Sequence, residues 1–166
     1  INLIDDSHRA IQKGFKDGVY KEYYRNGKLK LEANFKNGML NGSSKVYSES
    51  GNLIGERNFA DGQYIGEYKD YYESSELHKI GRTANGKKEG LEKTFYKSGA
   101  LFEEIYFRDG LAQGESKSYF EDGKLKSVSE LKDGKFQKAK EFDSEGKLIK
   151  EYYWEPFRMI DYTKKK

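Results

Sequence analysis

The sequence predicts an all-β protein: an elongated single-layer antiparallel meander of about six tandem 24-residue β-hairpins, with short capping segments at both ends. Three observations lead there. Gly18, Gly42, Gly66, Gly90 and Gly114 stand 24 residues apart, and Gly38, Gly62, Gly86, Gly110 and Gly134 keep the same step. Asn-Gly or Asp-Gly pairs sit between apolar runs, the strongest short-range signal for a hairpin. The chain also holds 14 Tyr and 10 Phe against a single Pro, a balance that favours strands joined by turns over disorder.

The first element, Ile1 to Ile11 with Leu3 and Ile4, reads as a capping segment. It runs into half a copy, since Ile11 and Gly14 lie 24 residues before Phe35 and Gly38. Residues 1–17 are therefore cap and half repeat, 18–154 are six repeats, and 155–166 are a second cap with a basic tail. In each repeat one turn falls at Asn26-Gly27, Ser50-Gly51, Ser98-Gly99, Asp122-Gly123 and Glu145-Gly146. The other falls at Asn37-Gly38, Asp61-Gly62, Asn85-Gly86, Asp109-Gly110 and Asp133-Gly134. Ser and Glu are poor in a two-residue turn that needs positive φ twice, so the first turn is expected to be a three-residue loop closed by a Gly bulge.

That loop places Tyr23 opposite Leu29, Tyr47 opposite Leu53, Phe95 opposite Leu101 and Tyr119 opposite Leu125. All repeating apolar positions, with Phe35, Phe59 and Phe107 among them, then gather on one face. A two-residue loop would instead pair Lys21 with Glu32 and Lys93 with Glu104. Lys21, Lys45, Lys69, Lys93, Lys117 and Lys140 join the apolar face. Their stems either cover apolar surface while the ammonium reaches water, or they form a cationic ladder for an acidic partner. About twelve strands at ~4.8 Å each would extend roughly 55 to 60 Å.

The third copy departs furthest, with Ser75 for Gly, Thr83 for Phe, Ile80 for Glu, and His78 beside its tip. Drift at a tolerant loop and a bend or partner contact are both open readings. The sixth copy drops one residue near Phe136 and continues through Phe142, Leu148 and Trp154. Pro156, Phe157, Met159, Ile160 and Tyr162 follow as the second cap, and Lys164 to Lys166 as a solvated tail.

The chemistry-bearing residues do not converge. There is no Cys, and His8 and His78 are far apart, so neither a metal nor a thiolate site is expected. The pairs Asp5-Asp6, Glu103-Glu104 and Glu121-Asp122 are chain neighbours, and on a strand neighbours point to opposite faces. Gly42-Ser43-Ser44 and Gly114-Glu115-Ser116 are loops of the repeat, not a nucleophile elbow. No catalytic residue or cofactor is expected. With 31 basic and 28 acidic residues interspersed, the charge pattern argues against a nucleic-acid partner. No apolar run approaches the length of a membrane span. The chain opens on Ile1, compatible with a removed leader or a trimmed start, and this leaves cytoplasmic and exported locations both open.

A protein partner is the expected one, with membrane lipid and self-association as further classes. The aromatics Tyr24, Tyr72, Tyr96 and Phe120 are the candidate contact residues. They sit beside the repeat aromatic, on the face opposite the regular Leu and Phe, and combine contact area with a polar tip in Tyr. The pattern Gly-x-x-Lys-x-Tyr-Tyr-x-x-Gly-x-Leu, then Glu and Phe, then Asn/Asp-Gly, clearest in Gly18 to Gly42 and Gly90 to Gly114, resembles the MORN-variant repeats. In particular it is similar to the YwqK-type antitoxins of bacterial toxin-antitoxin systems. The resemblance implies antiparallel hairpins and a protein or membrane-lipid contact, toxin neutralisation included. An exported repeat protein that contacts envelope or host components is the alternative.

Overall fold

Two kinds of turn set the repeating hairpins. The computed structural model describes residues 15–155 and 158–161. At the first kind, the Gly27 amide donates to the Tyr24 carbonyl (3.0 Å) and the Tyr24 amide to the Lys28 carbonyl (2.8 Å). This is the three-residue loop that the Ser-Gly and Glu-Gly pairs predict. It recurs after Ser48, Tyr72, Tyr96, Phe120 and Asp143. Gly27 takes φ of 80°, and in the third copy Ser75 holds the same conformation at 77°. At the second kind, Asn37 (52°) and Gly38 (72°) are both left-handed, as a two-residue hairpin turn requires.

The chain divides into two compact units, Ile1–Lys87 and Lys88–Lys166. The first unit holds β1 (Gly18–Tyr23), β2 (Leu29–Lys36), β3 (Met39–Tyr47), β4 (Leu53–Ala60), β5 (Gln63–Tyr71) and β6 (Leu77–Ala84). A two-residue strand, β7 (Lys87–Lys88), marks the boundary. The second unit holds β8 (Gly90–Phe95), β9 (Leu101–Arg108), β10 (Leu111–Tyr119), β11 (Leu125–Lys132), β12 (Lys135–Phe142), β13 (Leu148–Glu155) and β14 (Arg158–Asp161). Within each unit every strand pairs antiparallel with the next, and no described residue is helical. The expected caps at Ile1–Ile11 and Pro156–Phe157, the half copy at Ile11 and Gly14, His8, Tyr162 and the Lys164–Lys166 tail lie outside the described residues.

Two irregularities per repeat correct the expected assignment of faces. Tyr23 does lie opposite Leu29, but the register then slips, and Glu22 pairs Leu31 while Lys21 pairs Glu32. Lys30 is the extra residue. Ile54, His78, Phe102, Lys126 and Ile149 repeat this bulge. A bulge inverts the parity of everything beyond it. Tyr23, Leu29 and Lys21 therefore share one face, while Leu31, Ala33 and Phe35 take the other. The repeating apolar positions are split between faces instead of gathered on one.

The second irregularity lies at the Gly18-type positions. Phe35 pairs Leu40 and Ala33 pairs Ser44, so Asn41, Gly42 and Ser43 stand opposite Asn34 alone. Gly42-Ser43-Ser44 and Gly114-Glu115-Ser116 are thus bulged strand, not loop. Gly42 has φ of 98°, and the Asn34 side-chain amide fills the gap by donating to the Ser43 carbonyl (2.8 Å). In the sixth copy the slip is one residue shorter, with Leu131 opposite Phe136 and Glu130 opposite Lys138. The deleted residue came out of the bulge.

The core of the first unit lies on the Phe35 face. Leu31, Ala33, Phe35, Leu40, Val46 and Phe59 are buried together, with Phe15, Tyr20, Ile54 and Tyr64 packed against them. Next to this cluster Arg57, only 4% exposed, meets Asp70 at 2.5 Å. Its guanidinium lies 5.6 Å from the Tyr64 ring and 5.2 Å from the Tyr68 ring. Gly81 makes room for this stack, since a Cβ there would sit 2.6 Å from the Tyr68 ring.

Candidate functional site

The face opposite the core carries three rows of side chains that run across the strands. In the first unit the middle row reads Lys21, Glu32, Lys45, Glu56, Lys69, Ile80, each directly opposite the next. One residue pair nearer the first turns, a second row reads Tyr23, Leu29, Tyr47, Leu53, Tyr71, Leu77. Toward the other turns the row is Val19, Asn34, Ser43, Asn58, Glu67, Arg82. In the second unit the middle row is Lys93, Glu104, Lys117, Val128, Lys140, Glu151, and the turn-side row is Phe95, Leu101, Tyr119, Leu125, Phe142, Leu148. Alternation along each strand and the Tyr-Leu bulge together bring like residues into rows.

The middle row is a ladder of alternating charge. Lys21 meets Glu32 at 2.9 Å, Lys45 meets Glu56 at 3.7 Å, Lys93 meets Glu104 at 3.3 Å and Lys140 meets Glu151 at 3.5 Å. The Tyr71 hydroxyl donates to Glu56 (2.8 Å) and that of Tyr119 to Glu104 (3.0 Å). Burial, and then the Glu56 carboxylate, push the Tyr71 phenol up to about 12. Burial and Glu104 raise Tyr119 in the same direction. The Lys21 ammonium is held above its ordinary value by its bond to Glu32. The lysines therefore neither stand alone as a cationic ladder nor merely snorkel.

Ile80 and Val128 replace the carboxylate in two repeats, and the chain responds the same way each time. Lys69 turns along its own strand to Glu67 (2.9 Å), and Lys117 turns to Glu115 (2.8 Å). The aromatic one repeat further on is Tyr after each of Glu32, Glu56 and Glu104, but Phe95 after Ile80 and Phe142 after Val128. A phenol placed where no acceptor waits would be left with an unpaired hydroxyl. This co-variation inside one chain was visible in the sequence. Only the bulged register shows that Tyr71 meets Glu56 and that Tyr119 meets Glu104.

The four aromatics chosen from sequence occupy the first position of the first turn. They are half-buried, not exposed. They lie opposite the regular Leu as expected, yet on the same side as Phe35, because the bulge moved Phe35 across. The Tyr24 hydroxyl donates to the Tyr47 carbonyl (2.7 Å), and the Tyr96 hydroxyl to the Tyr119 carbonyl (2.8 Å), one repeat further on. Each ring stands beside the bulge residue: Tyr72 and His78 ring centres are 4.4 Å apart, Tyr96 and Phe102 5.1 Å, and the Lys126 ammonium is 5.8 Å from Phe120.

Among the described residues, no three His, Cys or acidic side chains are grouped to hold a metal ion. No curated protein matches the chain. Of solved structures, the crystal structure of TarM aligns over 96% of this chain and 24% of its own, at 9% identity and a TM-score of 0.33. The chain thus spans about a quarter of that protein, and a likeness this low carries no argument. The model of the MORN repeat variant matches residues 16–37, 40–61, 88–109 and 112–133. Each segment is one hairpin closed by a three-residue loop and ending at the following two-residue turn, and the four cover just over half of the sequence, so the chain belongs to the MORN repeat variant family.

Proposed function

We propose that this protein is a non-enzymatic binding module and that the laddered face meets a protein partner. The observation that carries this reading is the grid itself: rows of Lys, Glu and Tyr recur every second strand, roughly 10 Å apart, on an open face. Such a face offers paired charges and hydroxyls as replaceable contacts and sets the register of a partner laid across it. It builds no enclosed cluster of converging acids and bases. A toxin polypeptide neutralised by masking is the finer form of the proposal, in keeping with the antitoxin resemblance. Tyr72 and Phe120, at the turn tips, are proposed as flanking contacts.

The test is capture of binding proteins from source cells, followed by hydrogen-exchange mapping of the purified complex. The expected result is protection of β3 to β5 or β9 to β11, with binding lost in Lys45→Glu/Lys93→Glu. A complex indifferent to that pair of substitutions, or turnover of a substrate by the purified chain, would overturn the reading.

A further inference from the structure

The ladder of the second unit has a missing rung, and we propose that a carboxylate from an acidic segment of the protein partner fills it. This inference rests on the protein-binding reading and deepens it by naming a site. At three places in the row a carboxylate stands between two lysines on the flanking strands: Glu32 between Lys21 and Lys45, Glu56 between Lys45 and Lys69, Glu104 between Lys93 and Lys117. Val128 has the same neighbours, Lys117 on β10 and Lys140 on β12, both directly opposite it. It has no charge to offer either of them.

A recess of about 420 Å³ opens over Val128, with Glu115, Glu130, Lys138, Lys140 and Glu151 around it. The charges at its rim are arranged around the gap. Glu115 and Glu130 lie directly opposite one another, a repulsive pairing that Lys117 (2.8 Å) and Lys138 (2.7 Å) offset. Lys140 meets Glu151, at 3.5 Å, on its far side. An Asp or Glu side chain entering the recess would lay its methylenes on Val128 and its carboxylate between Lys117 and Lys140. Glu115, already 57% exposed, then turns to water. The incoming group reproduces the geometry that Glu104 has one repeat earlier.

The probe is a short blocked peptide, acetyl-Gly-Glu-Val-Gly-amide, titrated at low salt into the full chain and followed by amide NMR. Its Gln counterpart and free N-acetylglutamate serve as controls. The expected result is a localised shift of Lys117, Val128 and Lys140 by the Glu peptide alone. Val128→Glu, which installs the side chain native to four other repeats, is expected to weaken binding about tenfold or more, since two like charges then compete for one place. Lys140→Met should weaken it similarly, and an otherwise unchanged amide spectrum shows that each variant is folded. The assignment is overturned if the Glu peptide does not bind, if the Gln peptide or the free amino acid binds as well, or if Val128→Glu has no effect. A captured protein partner held equally by wild type and Val128→Glu would overturn this site and leave the protein-binding reading standing.

Discussion

In the first unit Leu31, Phe35, Leu40 and Val46 are at most 4% exposed. The residues that repeat them three copies later in the second unit, Glu103, Phe107, Ala112 and Ser118, are all half-buried. Both units nevertheless make the same turns, the same bulges and the same ladder. The difference teaches that turn chemistry and backbone pairing specify this hairpin, while the core face is free to change from apolar to polar along the array. In the second unit Ala139 is the one buried apolar side chain among the described residues. Its polar interior includes Glu92, bound to Lys88 at 2.5 Å, with the Lys88 ammonium 4.6 Å above the Phe107 ring.

The largest effect that sharpens this contrast is a matched pair of truncations. Phe35→Ala is expected to cost about 3 to 5 kcal/mol, the range for a buried aromatic, and Phe107→Ala roughly half of that because its ring is only half-buried. Denaturant unfolding, with hydrogen exchange read separately in each unit, measures both. Equal losses would break the comparison.

Next comes a buried charge of the first unit set against a surface charge of the second. Arg57→Ala strands the Asp70 carboxylate beside an apolar cluster and is expected to cost about 3 kcal/mol. Lys117→Ala, whose partner Glu115 is mostly in water, should stay within about 0.5 kcal/mol. Urea midpoints of the two variants check this.

The smallest effect is in pH. The Tyr71 phenol is raised to about 12, so folding favours its neutral form. Its contribution is complete below the ordinary Tyr value of about 10 and is lost as pH rises through 12. Tyr71→Phe should flatten the alkaline limb of the stability profile, while Phe142→Tyr, which adds a hydroxyl one repeat after Val128, where no carboxylate stands in the row, should not stabilise the protein at all.

Much of this was legible in the residues. The second turn of each repeat is always Asn-Gly or Asp-Gly, as a two-residue turn demands, while the first admits Ser-Gly and Glu-Gly beside Asn26-Gly27 and Asp122-Gly123, as only the three-residue loop allows. What escaped was the bulge after each Leu. Lys30, Ile54, His78, Phe102, Lys126 and Ile149 share no chemistry, since a bulged residue needs only room. Without it Lys21 and Glu32 read as members of opposite faces, and the ladder stays hidden although the spacing of its six lysines is plain. The half-burial of Tyr24 and Tyr96 was equally hidden, because their hydroxyls bond to main-chain carbonyls, which leave no mark in sequence.

Those carbonyls have one more consequence. The turns are stitched copy to copy: the Gly62 amide donates to the Leu40 carbonyl, Gly86 to Tyr64, Gly110 to Lys88 and Gly134 to Ala112. Tyr24, Asn26 and Lys28 likewise donate to the main-chain oxygens of Tyr47, Glu49 and Ser50. An acceptor that every residue possesses makes neighbouring copies interchangeable. Unequal recombination in the coding DNA could insert or remove a whole copy and still leave each donor a carbonyl at the proper distance, so that the length of the array can evolve without any new side-chain invention.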